Sequence, residues 1–263
     1  MSAKKPTVAV YKFSSCDGCQ LSILNMEDEL LELAEVVDIA YFLEATRAQK
    51  PGPYDLALVE GSITTPHEIE KIKQVRSQAK TVIALGTCAT SGGIQALRNF
   101  ASAEEYAKTV YPSPEYLQYL DSATPISEHI QVDLELWGCP VNKKQMAEVI
   151  VALLNNRKPN LPPYSVCLEC KRRLTVCVLV DRDIPCLGPV TQAGCSAICP
   201  AMGRGCYGCF GPARESNIES LMAVLKEKER YPGEIMRLFR GISGYSPAFK
   251  DAAESLSGEK VTA

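Results

Sequence analysis

Twelve cysteines stand among the 263 residues of this chain, and their spacing is the feature most able to do chemistry. Cys16-Asp17-Gly18-Cys19 is a close pair, followed by two isolated thiols, Cys88 and Cys139. Eight more crowd into one stretch: Cys167-x2-Cys170-x6-Cys177-x8-Cys186-x8-Cys195-x3-Cys199-Pro200, then x6-Cys206-x2-Cys209. Thiolates at such spacing hold zinc or iron–sulfur clusters. Twelve thiols make three sets of four with none left over, a number that suits an electron relay better than a single structural site.

The elements that must position the first four are legible from apolar patterning. Strand-like runs lie at 7–13, 36–43, 56–59, 81–85 and 132–137. Helical patterns fall between them, at 20–34, 65–78 (with Pro66 in its first turn) and 143–154 (with Asn142 as its cap). Strand and helix in alternation predict an α/β fold, a parallel sheet covered on both faces. Cys16 and Cys19 then follow the first strand, Cys88 the fourth and Cys139 the fifth. Ligands of an open parallel sheet bind outside the carboxyl ends of its strands, so the four thiols are expected to meet in that crevice. Glu60, ending the third strand, faces the same place. A zinc site usually pairs two close knuckles; one knuckle joined by two distant thiols suits a bulkier cluster. The competing reading makes Cys88 and Cys139 buried core thiols, since unpaired cysteine is among the most buried residues.

The late cysteines lie in a segment, 167–211, rich in Gly and Pro and poor in periodicity. It has too few apolar side chains to build a core alone and is expected to fold around something inorganic. Cys199-Pro200 is similar to the end of bacterial ferredoxin motifs, although the inner spacings differ. The simplest partition is sequential, Cys167, Cys170, Cys177 and Cys186 in one set and Cys195, Cys199, Cys206 and Cys209 in the other, with two zinc knuckles as the rival reading. Helical patterns follow at 216–229 and 234–241, and residues after about 252 read as a frayed tail. The polar, proline-rich stretch 155–163 separates the two cysteine groups and sets expected domains at 1–157 and 158–263. The region 101–127, with Pro112, Pro114 and Pro125, reads as an irregular helical excursion.

Composition narrows the function classes. A formal net charge of −3 leaves no basic field for nucleic acid. No run of eighteen apolar residues predicts a membrane span. The turn at 14–19 has neither G-x-G-x-x-G nor G-x-x-x-x-G-K, and cysteines occupy the places where glycines would approach a phosphate. No secretory or twin-arginine leader is recognised at the start, so a reducing, cytoplasmic setting is expected, in which thiols are metal ligands sooner than disulfides.

Taken together, Ser15-Cys16-Asp17-Gly18-Cys19-Gln20, Val59-Glu60-Gly61-Ser62-Ile63, Gly86-Thr87-Cys88-Ala89 and Gly138-Cys139-Pro140 resemble the small subunit of nickel–iron hydrogenases. The resemblance extends through Cys167-Leu168-Glu169-Cys170, Pro185-Cys186-Leu187-Gly188-Pro189-Val190-Thr191, Ala193-Gly194-Cys195 and Cys206-Tyr207-Gly208-Cys209, nearly the whole chain. It implies a flavodoxin-like domain holding a proximal 4Fe–4S cluster on Cys16, Cys19, Cys88 and Cys139. An irregular iron–sulfur domain with C-terminal helices would hold the medial cluster on Cys195, Cys199, Cys206 and Cys209 and the distal one on Cys167, Cys170, Cys177 and Cys186. Two departures point to a subtype: Cys167 stands where periplasmic and membrane-linked members usually have His, and Cys199 can complete a four-iron medial cluster. The pattern is most similar to the cytoplasmic bidirectional group, the sulfhydrogenase or NAD(P)-linked type, whose partners would be a large subunit bearing the nickel–iron centre and diaphorase (flavin and NAD(P)) and ferredoxin-like subunits. Deazaflavin-reducing and heterodisulfide-reductase-linked hydrogenases are close alternatives. So are a module similar to that of complex I, although the adjacent Cys-Cys pair of that subunit is absent, and, from another class, a zinc-stabilised adaptor. The resemblance implies no catalytic residue in this chain. It places Glu60 where it could order waters or relay protons, whereas its residue-level reading is a carboxylate capping a strand end or pairing with a cation. His67 and His129 match no ligand position.

Overall fold

The computed structural model describes residues 5–257. The chain divides into two compact units, Met1–Pro159 and Asn160–Ala263.

The first unit is built on five strands: β1 (Thr7–Lys12), β2 (Asp38–Phe42), β3 (Tyr54–Glu60), β4 (Ala79–Leu85) and β5 (Leu134–Leu136). They pair in parallel throughout, in the order β2-β1-β3-β4-β5. This is the flavodoxin-like arrangement, in which the chain reverses its direction of winding between β1 and β3. Both faces of the sheet are dry. Val8, Val10, Leu56, Leu58 and Ile83 alternate with Ala9, Tyr11, Ala57, Val59 and Val82, and all are buried. The second face continues into Phe13, Ile63, Ile72 and Val75. Each fully buried aliphatic side chain contributes about 1.5–3 kcal/mol, and the strands and the helices packed on them share these side chains.

The covering helices start where local chemistry directs. α3 (Pro66–Gln78) begins with a reciprocal cap: Glu68 N–H donates to Thr65 Oγ1 at 3.3 Å and Thr65 N–H donates to Glu68 Oε2 at 3.0 Å. At α6 (Lys143–Leu154), Asn142 Oδ1 accepts from the N–H groups of Lys144 at 2.8 Å and Gln145 at 3.3 Å. The single helix expected over 20–34 is instead two, α1 (Gly18–Leu24) and α2 (Asp28–Val36). The break falls where Met26 is buried, 2% exposed, and Glu27 takes a left-handed φ of 52°. Burying Met26 turns the chain, whereas the acidic face of α2 stays in water. The patterning also leaves unmarked a short helix, α4 (Gly86–Ser91), which starts directly at the end of β4. A 3₁₀ segment (Gly93–Phe100) follows it, and the excursion expected over 101–127 contains α5 (Ala103–Val110) and a short 3₁₀ turn at Pro114–Tyr116, with a second beginning at its end, Ile126–Glu128.

The second unit is helical and irregular. Its short helices are α7 (Val166–Arg172), α8 (Val178–Asp181) and α9 (Ile198–Ala201); three longer ones follow, α10 (Ile218–Glu227), α11 (Pro232–Phe239) and α12 (Pro247–Ser255). Val166, Val178, Leu179, Leu187 and Val190 from the cysteine-rich segment join Leu221, Leu225, Ile235, Phe239 and Phe249 from the helices in one apolar cluster. Phe239 and Phe249 meet edge to face at 5.6 Å. The segment's few apolar side chains thus borrow a core from α10–α12. The frayed tail expected after about 252 is displaced: α12 runs to Ser255, with Ala252, Ala253 and Leu256 buried. Residues 258–263, the end of that expected tail, lie outside the described residues. Among the described residues no helix is long and apolar enough to cross a membrane.

Candidate metal centres

In the first unit the thiols meet at the carboxyl edge of the sheet. Cys16 lies in the loop after β1, Cys19 in the first turn of α1, Cys88 in α4 and Cys139 in the loop after β5. Two ties hold the strand ends in register. Phe13 N–H donates to the Glu60 carbonyl at 2.8 Å and Ser62 N–H to the Ser14 carbonyl at 2.9 Å, joining the β1 and β3 loops. Thr87 N–H donates to the Gly138 carbonyl at 2.9 Å, joining the Cys88 and Cys139 loops. All twelve cysteines are free thiols. Among the described residues no three or more His, Cys, Asp or Glu converge as ligands of one metal ion.

Glycine leaves room beside these sulfurs. A Cβ on Gly86, whose φ is +83°, would lie 2.3 Å from Cys19 Sγ; one on Gly93 would lie 2.6 Å from Cys88 Sγ. Gly18 leaves Cys16 Sγ only 3.3 Å of room. Burial pushes the Cys88 thiol up to about 12, with Cys139 and Cys16 adding to the push. It pushes Cys19 higher still, with Glu60, Cys88 and Cys139 contributing. Cys139 moves the same way for the same reason, again with Cys16 and Glu60 as neighbours. The four sulfurs therefore lie in one another's fields. A buried thiol so placed releases its proton to solvent only when a cation binds the sulfur and stabilises the thiolate, as iron in a cluster would. Backbone N–H groups of Val141 and Ile94 point at Cys19 and Cys88 and favour the thiolate.

Glu60 is 2% exposed. Its Oε1 accepts from the Cys19 N–H at 3.0 Å and its Oε2 from Gln20 Nε2 at 2.8 Å. Burial raises its pKa, and these two hydrogen bonds oppose the rise. These contacts pin the start of α1 and with it Cys19. Lys12 pairs with Asp17 on the neighbouring loop, not with Glu60. Patterning does not single out Gln20, Gly86 or Gly93 as parts of the site. Gln20 is polar and opens a patterned helix, yet it is 1% exposed. His129 is held by Thr124, Oγ1 to Nε2 at 2.7 Å, far in role from any thiol.

In the second unit the eight late thiols gather around α7, α9 and the loops that follow. Burial pushes Cys167 up to about 11, with Cys186, Cys170 and Cys177 adding to the push. Cys206, more deeply buried, rises further, with Cys186 and Cys209 as neighbours. Cys195 and Cys199 are neighbours, and Cys199 also adds to the upward push on Cys186. Sulfur acceptors are served by the backbone: Cys206 N–H donates to Cys186 Sγ at 3.2 Å, Gly188 N–H to Cys186 Sγ at 3.4 Å and Gly208 N–H to Cys206 Sγ at 3.5 Å. A Cβ on Gly188 would crowd Cys186 Sγ at 3.2 Å. Of these eight, Cys186 and Cys206 are buried and Cys177 is exposed; with inward N–H donors and glycine clearance they form a donor set that suits iron–sulfur clusters.

The comparisons with known proteins decide the lineage. Residues 16–153 match the family model described as "NADH ubiquinone oxidoreductase, 20 Kd subunit". The chain is 37% identical to sulfhydrogenase 2 subunit delta of Pyrococcus furiosus, over 84% of this chain and 92% of that one. It is 35% identical to a subunit of the vhu F420-non-reducing hydrogenase of Methanocaldococcus jannaschii, over 80% and 83% of the two chains. The chain belongs to the family of hydrogenase small subunits. Its fold agrees: a chain in the crystal structure of an NAD+-reducing [NiFe]-hydrogenase matches with a TM-score of 0.56 at 28% identity, over 60% of this chain and 96% of that one. A chain of the Dm. baculatum [NiFeSe]-hydrogenase shares the fold with a TM-score of 0.59 at 19% identity, over 81% and 96%. As a hydrogenase small subunit the chain serves an oxidoreductase whose active site lies on a partner subunit, and electron transfer is its part in that reaction.

Proposed function

We propose that this small subunit relays electrons through three 4Fe–4S clusters between a nickel–iron large subunit and a diaphorase or ferredoxin-like partner in the cytoplasm. Cys16, Cys19, Cys88 and Cys139 ligate the proximal cluster, Cys195, Cys199, Cys206 and Cys209 the medial, and Cys167, Cys170, Cys177 and Cys186 the distal. The observation that carries this reading is the meeting of four sequence-distant thiols at the carboxyl edge of the sheet, with Gly86 and Gly93 leaving room beside Cys19 and Cys88. The clusters supply one-electron carriage. The chain's own residues bury Cys19, Cys186 and Cys206, leave Cys16 and Cys177 exposed and aim N–H donors at several of the sulfurs, which tunes the potentials. The likeness to a chain of an NAD+-reducing [NiFe]-hydrogenase supports NAD(P) as acceptor.

The test is the anaerobically purified complex. It should be brown and carry about twelve irons in this subunit, three cubes of four. Cys19→Ser should remove the proximal cluster and stop hydrogen-driven reduction of any acceptor. Full acceptor reduction in that variant refutes the proximal assignment, and a colourless subunit holding stoichiometric zinc refutes the relay. Offering NAD, NADP and deazaflavin side by side separates the acceptor readings.

A further inference from the structure

Glu169 lies between Cys167 and Cys170 on α7, yet its carboxylate reaches across to the loop that carries Cys195. Oε1 accepts from the Gly194 N–H at 3.0 Å and Oε2 from the Ala197 N–H at 3.1 Å. Oε2 also lies 3.8 Å from Cys195 Sγ. One helical turn on, Arg173 Nη1 donates to the Ser196 carbonyl at 2.8 Å. Glu169 in α7 and Arg173, which caps it, thus hold loop 194–197 by both of its ends. The grip has strain to hold. Ser196 and Ala197 are left-handed at φ 57° and 51°, a conformation that costs a non-glycine residue about 1–2 kcal/mol.

The contact with sulfur changes sign when Cys195 becomes a ligand. As a thiol Cys195 can donate to Glu169 Oε2. As a thiolate it has no proton to give, and the pair becomes two negative charges at 3.8 Å. The Ala197 N–H that Glu169 holds is also directed at the Cys195 sulfur. The carboxylate therefore both adds negative charge beside that sulfur and competes for one of its hydrogen bonds. Each effect disfavours an added electron there.

We infer that Glu169 is a positioning residue shared by two thiol sets, anchoring the Cys195 loop to α7 and holding down the reduction potential of the cluster that Cys195 ligates. The inference rests on the cluster assignment above. Iron and acid-labile sulfide in the wild-type complex test that assignment first and separately. The inference itself is tested by EPR-monitored redox titration of the complex with Glu169→Gln, which keeps the shape and removes the charge. The expected result is unchanged iron and one midpoint moved to higher potential. At the wild-type midpoint the reduced-to-oxidised ratio of that cluster should rise at least tenfold, about 59 mV for one electron. The other midpoints should move less. Full iron with every midpoint unchanged overturns the inference. Should the glutamine variant lose iron, Glu169→Asp replaces it. Aspartate keeps the charge but withdraws it by one methylene, so the same midpoint must rise by a smaller amount, and no rise overturns the inference.

Discussion

Gly86→Ala puts the argument for the proximal site at risk most directly. The backbone at Gly86 has φ +83°, where an added Cβ costs about 1–2 kcal/mol before it touches anything. That Cβ would lie 2.3 Å from Cys19 Sγ. Ordinary contact between such atoms is about 3.5–4.0 Å, so the sulfur must retreat by more than about 1 Å. Overpacking of this kind costs a further 1–3 kcal/mol or so. The total, about 2–5 kcal/mol, is a large part of a domain stability of roughly 5–15 kcal/mol. The chemical consequence is sharper than the energetic one, because ligand distances tolerate only about 0.2 Å. The alanine variant should lose the proximal cluster while keeping the iron of the second unit, read as a loss of about a third of the subunit's iron. Gly92→Ala is the control. Its φ is +79° and its Cβ would meet Ala96 Cβ at 2.7 Å, a similar strain that touches no sulfur. It should lower the unfolding temperature without selective iron loss. Full iron in Gly86→Ala, or equal iron loss in both variants, refutes the reasoning.

Two further outcomes follow from the same contacts. Glu60→Ala removes the acceptor of the Cys19 N–H and leaves that buried donor unpaired, at a cost of about 1–3 kcal/mol. Thermal unfolding of the complex should show the loss, and a variant as stable as wild type would deny Glu60 its holding role. His129 is half-buried and burial lowers its pKa below 6.5, so the unfolded chain binds its proton more readily than the folded one. Stability from this group is complete above the unfolded value and is lost as pH falls from 6.5 through the lower folded value. Unfolding temperature should therefore rise with pH across that window, and His129→Gln should flatten the slope; an identical slope in the variant would contradict the assignment.

What can be read from the residues and what cannot divide along a physical line. The five strands and the places of Cys16, Cys19, Cys88 and Cys139 are legible because a doubly covered sheet writes its buried runs as unbroken apolar sequence, and the turns after them need no tertiary information. The split of the first helix is not, since only packing shows that Met26 prefers the core to a continued α-helix. The last helix escapes notice for a related reason: Pro247 and the small residues Ala252 and Ala253 carry a weak pattern, but Phe249 fills the core against Phe239. Gln20 carries no mark of burial in its type, whereas a buried acceptor, Glu60, calls it inward.

The same line runs through the thiol sites. A cysteine declares itself by type and spacing, but what makes it a ligand is supplied by residues with no chemistry of their own. Gly86 is required by a sulfur on another element, Cys19, and Gly188 by Cys186 beside it. The N–H of Cys206 serves Cys186 from twenty residues away. Glu169, read only as a letter inside Cys167-Leu168-Glu169-Cys170, acts on a loop that begins at Gly194. Spacing can therefore say which sulfurs are available, but the fold decides how dry each one is, how many N–H groups it faces and which charge stands beside it. Those three quantities set the potential of a relay, and a change at Gly86, Gly188 or Glu169 should alter electron transfer without altering a single cysteine.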